Sequence, residues 1–178
     1  MASQLRVDKI VPVDGVPTGG GGGIIQIKST TKTDAFNMPS NDTSFHTVTG
    51  LSVTITPTRS DSKILVMYDM SWSAIDGHCS CRLMRDSTPI KVGDASGNKT
   101  QVTGQIHYTS TNQYDLEQVS GTHMDSPATT SAVTYSMQVG TPYSSSYDLY
   151  VNYHAENGQD LAWSGRGAST ITVMEVSG

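Results

Sequence analysis

Residues 64–74 read Ile64-Leu65-Val66-Met67-Tyr68-Asp69-Met70-Ser71-Trp72-Ser73-Ala74. Every second position, from Ile64 through Val66, Tyr68, Met70 and Trp72 to Ala74, is apolar. A period of two is that of a β-strand whose alternate side chains point to one core. The other face runs Leu65, Met67, Asp69, Ser71, Ser73. It begins apolar and turns polar, so one end of this strand is expected to be covered on both sides. Working outward, Asp76-Gly77 supplies a turn signal, and Cys79-Ser80-Cys81-Arg82-Leu83-Met84-Arg85 reads as the next strand. Asp86-Ser87-Thr88-Pro89 closes it before a short return at residues 90–92.

The same period recurs along the chain. Val133, Tyr135, Met137 and Val139 alternate with Thr134, Ser136 and Gln138, and the spacing predicts a strand there. Tyr147, Leu149, Val151, Tyr153 and Ala155 alternate with Asp148, Tyr150, Asn152 and His154, predicting another. Residues 43–56 read as a hairpin turning at Thr49-Gly50, with Leu51, Val53 and Ile55 as the inward set of its second limb. Ile25 and Ile27 are expected to share a face. Residues 100–110 and 114–120 are weaker strands. In the last strand, residues 169–176, Ile171 and Val173 lie on one face and Met174 and Val176 on the other, which places it centrally or at an interface. About ten short strands at spacings of roughly 8–12 residues, with no helical period and no fixed repeat, give an all-β class, a sandwich or barrel.

Composition agrees. Of 178 residues, 35% are hydrophobic and 15% charged, and Ser, Thr and Gly are abundant, a mix suited to strands and polar turns rather than helices. The domain organisation is an N-terminal arm (residues 1–18), a glycine linker (19–23) and a β domain (24–178). In the arm, Leu5, Val7, Ile10 and Val11 give a half-regular alternation. A lone strand is stable only against a partner, so these four are the candidate attachment residues. Five consecutive glycines have no preferred conformation and act as a tether. Arg6 and Lys9 cancel Asp8 and Asp14, so the β domain carries the whole formal charge of −5. With no basic cluster, no nucleic-acid partner is expected. No apolar run approaches the ~20 residues of a membrane span, and the N-terminus lacks a secretory layout, so neither membrane insertion nor export is expected.

Catalytic chemistry is not marked. His78-Cys79-Ser80-Cys81 offers three donors at cramped spacing where a structural zinc site needs four, so the thiols are expected as small reduced core residues and no metal or other cofactor is expected. The glycines lead into Ile24-Ile25-Gln26-Ile27, a strand, rather than the Lys-Ser/Thr and helix of a phosphate loop. No catalytic site is assigned. Trp72 has inward parity and is expected buried. Trp163, near a loop, and Tyr150, on the outward parity of its strand, are the candidate glycan contacts.

Certain segments carry a resemblance. Ser3, Leu5, Val7-Asp8-Lys9-Ile10-Val11-Pro12, the glycines at 19–23 and Ile24-Ile25-Gln26 resemble the start of tail-fibre and related virion proteins of marine tailed bacteriophages. Asp125-Ser126-Pro127-Ala128-Thr129-Thr130-Ser131-Ala132-Val133-Thr134-Tyr135 and Gly167-Ala168-Ser169-Thr170-Ile171-Thr172-Val173-Met174-Glu175-Val176 resemble the C-terminal head domain of those proteins. The resemblance implies a non-enzymatic, homotrimeric, jelly-roll-like antiparallel β-sandwich on the particle surface, with no functional residue to carry over. Its implied partners are further copies of itself, other virion proteins, and a host surface glycan or receptor; its place of assembly is the host cytoplasm. Family tail fibres often have a long shaft between arm and head, and here only the glycine tether stands there. That favours a compact knob, either a fibre tip or a capsid decoration (cement) protein. A carbohydrate-active enzyme on a jelly roll is the weaker expectation.

Overall fold

A computed structural model describes residues 23–39, 42–75, 77–108, 115–144, 148–154, 162 and 165–177. In chain order the strands are β1 (Ile24–Lys32), β2 (Phe36–Asn37), β3 (Phe45–Ile55), β4 (Lys63–Ile75), β5 (Gly77–Arg85), β6 (Thr88–Ile90), β7 (Gly104–Tyr108), β8 (Glu117–Asp125), β9 (Val133–Gly140), β10 (Asp148–Val151) and β11 (Ser169–Val176). No helix occurs among the described residues, and every strand pairing is antiparallel.

The strands form two sheets. In sheet A, β4 pairs along one edge with β8 and along the other with β11 and then β10; β1 lies beyond β11 and β2 beyond β10. In sheet B, β9 lies between β3 and β5, and the far edge of β5 takes β7 and β6. Four of the pairings are nested in sequence: β1 with β11, β3 with β9, β4 with β8, and β5 with β7. The core lies between the sheets. The even positions of β4 from Ile64 to Ala74 are buried, as are Val133, Tyr135, Met137 and Val139 of β9 and Ile171 and Val173 of β11. Cys79, Cys81 and Leu83 of β5 face the same core, both cysteines are free, and burial pushes each thiol up to about 12.

One polar cluster spans the sandwich. Arg85 Nη1 donates to both oxygens of Asp125, at 2.8 and 3.1 Å, and the Tyr135 hydroxyl donates to the same carboxylate at 2.7 Å. Asp125 is buried, so these bonds meet its desolvation and join β8 of sheet A to β5 and β9 of sheet B. Burial, and then the bond to Asp125, push the Tyr135 hydroxyl above its ordinary range.

The structure corrects several expectations. Residues 43–56 are not a hairpin. They form the single strand β3, which changes register between Thr47 and Ser52, with Gly50 at φ 83° inside the irregularity. A left-handed glycine serves a bulge as well as a turn, so the signal was right and its meaning wrong. Within the strand expected over residues 147–155, the described ladder is Asp148–Val151, and Asn152, at φ 68°, ends it. A register shift between Ile24 and Gln26 breaks the parity of β1, leaving Ile25 half-buried and Ile27 56% exposed.

The most consequential result concerns the two ends of β4. The end covered on both faces is the polar one. Ser71 Oγ donates to Ala168 O at 3.3 Å and Ser73 Oγ to Tyr153 O at 2.8 Å, so chain on either side of the Tyr153–Arg166 bridge lies over this half of the sheet. Gly167 permits the approach, since a Cβ there would sit 2.7 Å from Ser71 Cβ and Oγ. The apolar end, Leu65 and Met67, is left at the outer surface.

Candidate interaction face

Strand register brings the outward side chains of β8, β4, β11 and β1 into rows across sheet A. Leu65 lies opposite Met124 on one side and Met174 on the other, and Met174 lies opposite Ile27. Neighbouring strands are ~4.8 Å apart, so this row of four apolar side chains spans roughly 14 Å. Ile24 and Val176 pair on the row below, and Met67 lies between Thr122 and Thr172 on the row above. Ile24 and Ile27 are each 56% exposed, Met124 47% and Met67 40%. Apolar side chains scattered singly on a surface are ordinary; a contiguous row on the broad face of a sheet is a candidate interaction surface.

Above Met67 the face turns polar. Asp69 stands between Ser120 and Thr170, and Gln118 Nε2 donates to its carboxylate. A shallow cavity of about 400 Å³ lies here, lined by Met67, Asp69, Thr122 and Thr172 among others. Its floor includes Gly121, where a Cβ would stand 2.6 Å from the Tyr68 hydroxyl. The face is therefore amphipathic, with a methionine-rich half and a half of hydroxyls. Methionines adapt their shape to what covers them, which suits such a contact.

At its lower edge this face meets the start of the described chain. Gly23 is exposed, and its carbonyl accepts from Ser177 N at 3.1 Å, extending the β1–β11 ladder by one bond. Beneath the ladder Glu175 is fully buried. It accepts from Gln26 Nε2 at 2.6 Å and from Thr58 N and Oγ1 at 2.7 and 2.8 Å. Burial alone would raise this carboxyl, but the hydrogen bonds outweigh it and hold the group below the ordinary carboxylate range.

Leu5, Val7, Ile10 and Val11 lie outside the described residues, as does Trp163. Trp72 is buried, as expected. Tyr150 does not have the outward exposure its parity suggested. It is 8% exposed, with its ring edge-on to Tyr153 at 5.0 Å between centroids, because the chain after Val151 folds back over that face. His78 and the cysteines separate by strand alternation, His78 outward and Cys79 and Cys81 inward. Among the described residues no group of three His, Cys, Asp or Glu side chains is placed to share a metal ion. Met67 and Met124 are the exposed methionines of this candidate face, and period alone did not find them: an outward methionine reads as core unless the covering segment is known.

No protein-family model matches the chain, and comparison with curated proteins gives no match.

Proposed function

We propose that this chain is a non-enzymatic surface protein of a bacteriophage particle. In this reading it is a jelly-roll knob that trimerises through the apolar half of sheet A, is anchored by Leu5, Val7, Ile10 and Val11, and contacts the host surface. The observation that carries it is the row Met124–Leu65–Met174–Ile27, exposed at both ends and half-buried at its centre, on a domain whose own chain covers the serine half of the same face instead. Closed symmetric homo-oligomers are the usual way such surfaces are buried. The jelly roll is supported by the nested pairings, with β8-β4-β11-β1 facing β7-β5-β9-β3. Rolling up one long hairpin gives that order. The phage assignment rests on the resemblance of the arm, of residues 125–135 and of residues 167–176 to virion proteins.

Capsid decoration is the second reading. It is favoured by the outer edge of β1, which has no strand partner among the described residues and lies where the arm joins the domain, so that strand addition could pin neighbouring subunits. Cryo-microscopy of particles carrying a labelled copy separates the two. Density at the tail alone supports the knob, density over the capsid lattice supports decoration, and absence from particles ends both. Deleting residues 1–18 is expected to leave a folded trimer that no longer joins the particle. A truncated protein that is monomeric, or that still incorporates, removes the arm from its anchoring role.

A further inference from the structure

On the outer face of sheet B, at the end of β5, three segments converge on an open cleft of about 490 Å³. His78 and Gln105 come from the paired strands β5 and β7, Lys99 and Thr100 from the connection before β7, and Pro142 and Tyr143 from the connection after β9. Tyr143 is 76% exposed, the largest exposure among the large hydrophobic side chains described. Its ring meets His78 edge-on with centroids 5.8 Å apart, and His78 lies against its cross-strand partner His107 at 4.4 Å. Gln105 is braced by its amide nitrogen, which donates to Ser80 Oγ at 3.2 Å, and this leaves its carbonyl oxygen to accept from a ligand.

Each feature points to the same ligand chemistry. A broad exposed tyrosine supported by aromatic rings offers an apolar platform with a polar tip, suited to the C–H face of a pyranose ring. Gln105, Asn98 and Thr100 on the rim supply donors and acceptors for ring hydroxyls. The cleft is too open and polar to hold an apolar ligand by burial. Its charge is set against the balance of the molecule: the protein carries −5, yet among the described residues that line the cleft Lys99 is the charged one and none is a carboxylate. A cation in that position selects for an anionic group.

We infer that this cleft binds a carboxylate-bearing saccharide, stacked on Tyr143 with its carboxylate toward Lys99. The inference deepens the host-contact part of the function proposed above and rests on it for its biological sense. Trigalacturonate and its methyl ester are suitable probes, because the ester keeps the ring and removes the charge. The full-length protein, followed by NMR, should show saturable shifts at the His78, His107 and Tyr143 rings with trigalacturonate at millimolar concentration or below. The ester should bind about fivefold more weakly. Tyr143→Ala should weaken both probes by about fivefold or more, Lys99→Ala should abolish the preference for the acid, and Lys63→Ala on the other sheet should change neither. The three positions are solvent-exposed, so the variants fold, and their melting curves verify it. No saturable shift up to about 10 mM, equal binding of acid and ester, or insensitivity to Tyr143→Ala overturns the inference. A protein found on particles but blind to both probes loses only the cleft; one that binds the acid but is absent from particles loses only the virion assignment.

Discussion

Asn152 shows what one side chain does in this fold. It is buried at φ 68° and uses its whole amide: Nδ2 donates to Lys32 O and Asp34 O at 2.9 and 3.0 Å, and Oδ1 accepts from Ser169 Oγ at 2.6 Å. Its backbone N–H donates to Ser71 O, and its carbonyl accepts from Gly167 N. The end of β1, the middle of β4 and the start of β11 are thus tied at one residue. Asn152→Ala should cost about 3–4 kcal/mol in urea denaturation, from buried partners left unsatisfied and an alanine forced into the left-handed region. Asn152→Gly should recover only the conformational part, about 1 kcal/mol. Alternation in the sequence put Asn152 on an outward face, and nothing local announced that the chain would turn back over it. Glu175 yields a pH prediction. Its carboxyl is held below its ordinary value when folded, so its contribution is fully present at neutral pH and above about 4.3, and is lost as the pH falls through the lowered folded value. Asp34, Asp42 and Asp61 are lowered in the same sense, so melting temperatures of wild type and Glu175→Gln must be compared from pH 7 to pH 3. Part of the acid-side slope should vanish in the variant, and identical slopes would rule Glu175 out as its source.

At the scale of elements, most of the fold was legible. The periods of β4 and β9 identified the inner faces correctly, because side chains between two sheets are mostly apolar, whereas β11, apolar on both faces, did not declare which of them turns inward. Two features escaped. Gly50 in β3 looked like a turn, and whether a glycine at positive φ reverses a strand or bulges it depends on the partner strand, β9, whose register is set some ninety residues away. Coverage of the outer face of sheet A depended on the chain near Tyr153 and Gly167, with no periodic signal of its own. Gly167 tests that coverage. An alanine methyl would meet Ser71 Cβ, which cannot swing away, so Gly167→Ala should lift the crossing segment and cost about 1–3 kcal/mol. Hydrogen exchange should then rise at Asn152 N and Gly167 N while the β3–β9 ladder stays protected; uniform protection with no loss of stability would mean that the segment does not pack on β4.

For the whole molecule, the question is what covers the lower half of sheet A. Burying what remains exposed of one methionine or isoleucine in the row returns roughly 2 kcal/mol at ~25 cal/mol per Å². Association costs ~4–15 kcal/mol in lost freedom, so Ile24, Ile27, Met67 and Met124 together suffice only if the surrounding hydroxyl-bearing rows also pack. The face is therefore expected to tolerate no charge at its centre. The candidate face was half legible: the two-sided apolar character of β11 called for a neighbour, but the sequence did not say whether the chain itself would supply it. The most direct test is the solution mass by light scattering of the full-length chain, beside Met67→Glu and Ile27→Glu, both of which alter exposed positions and leave the core intact. The wild type should run as a trimer of about 57 kDa, three times the 19.0 kDa chain, and each variant should fall to the monomer mass with an unchanged β-sheet circular dichroism spectrum. A monomeric wild type, or variants that remain trimeric, would contradict the assignment of this face as the subunit interface.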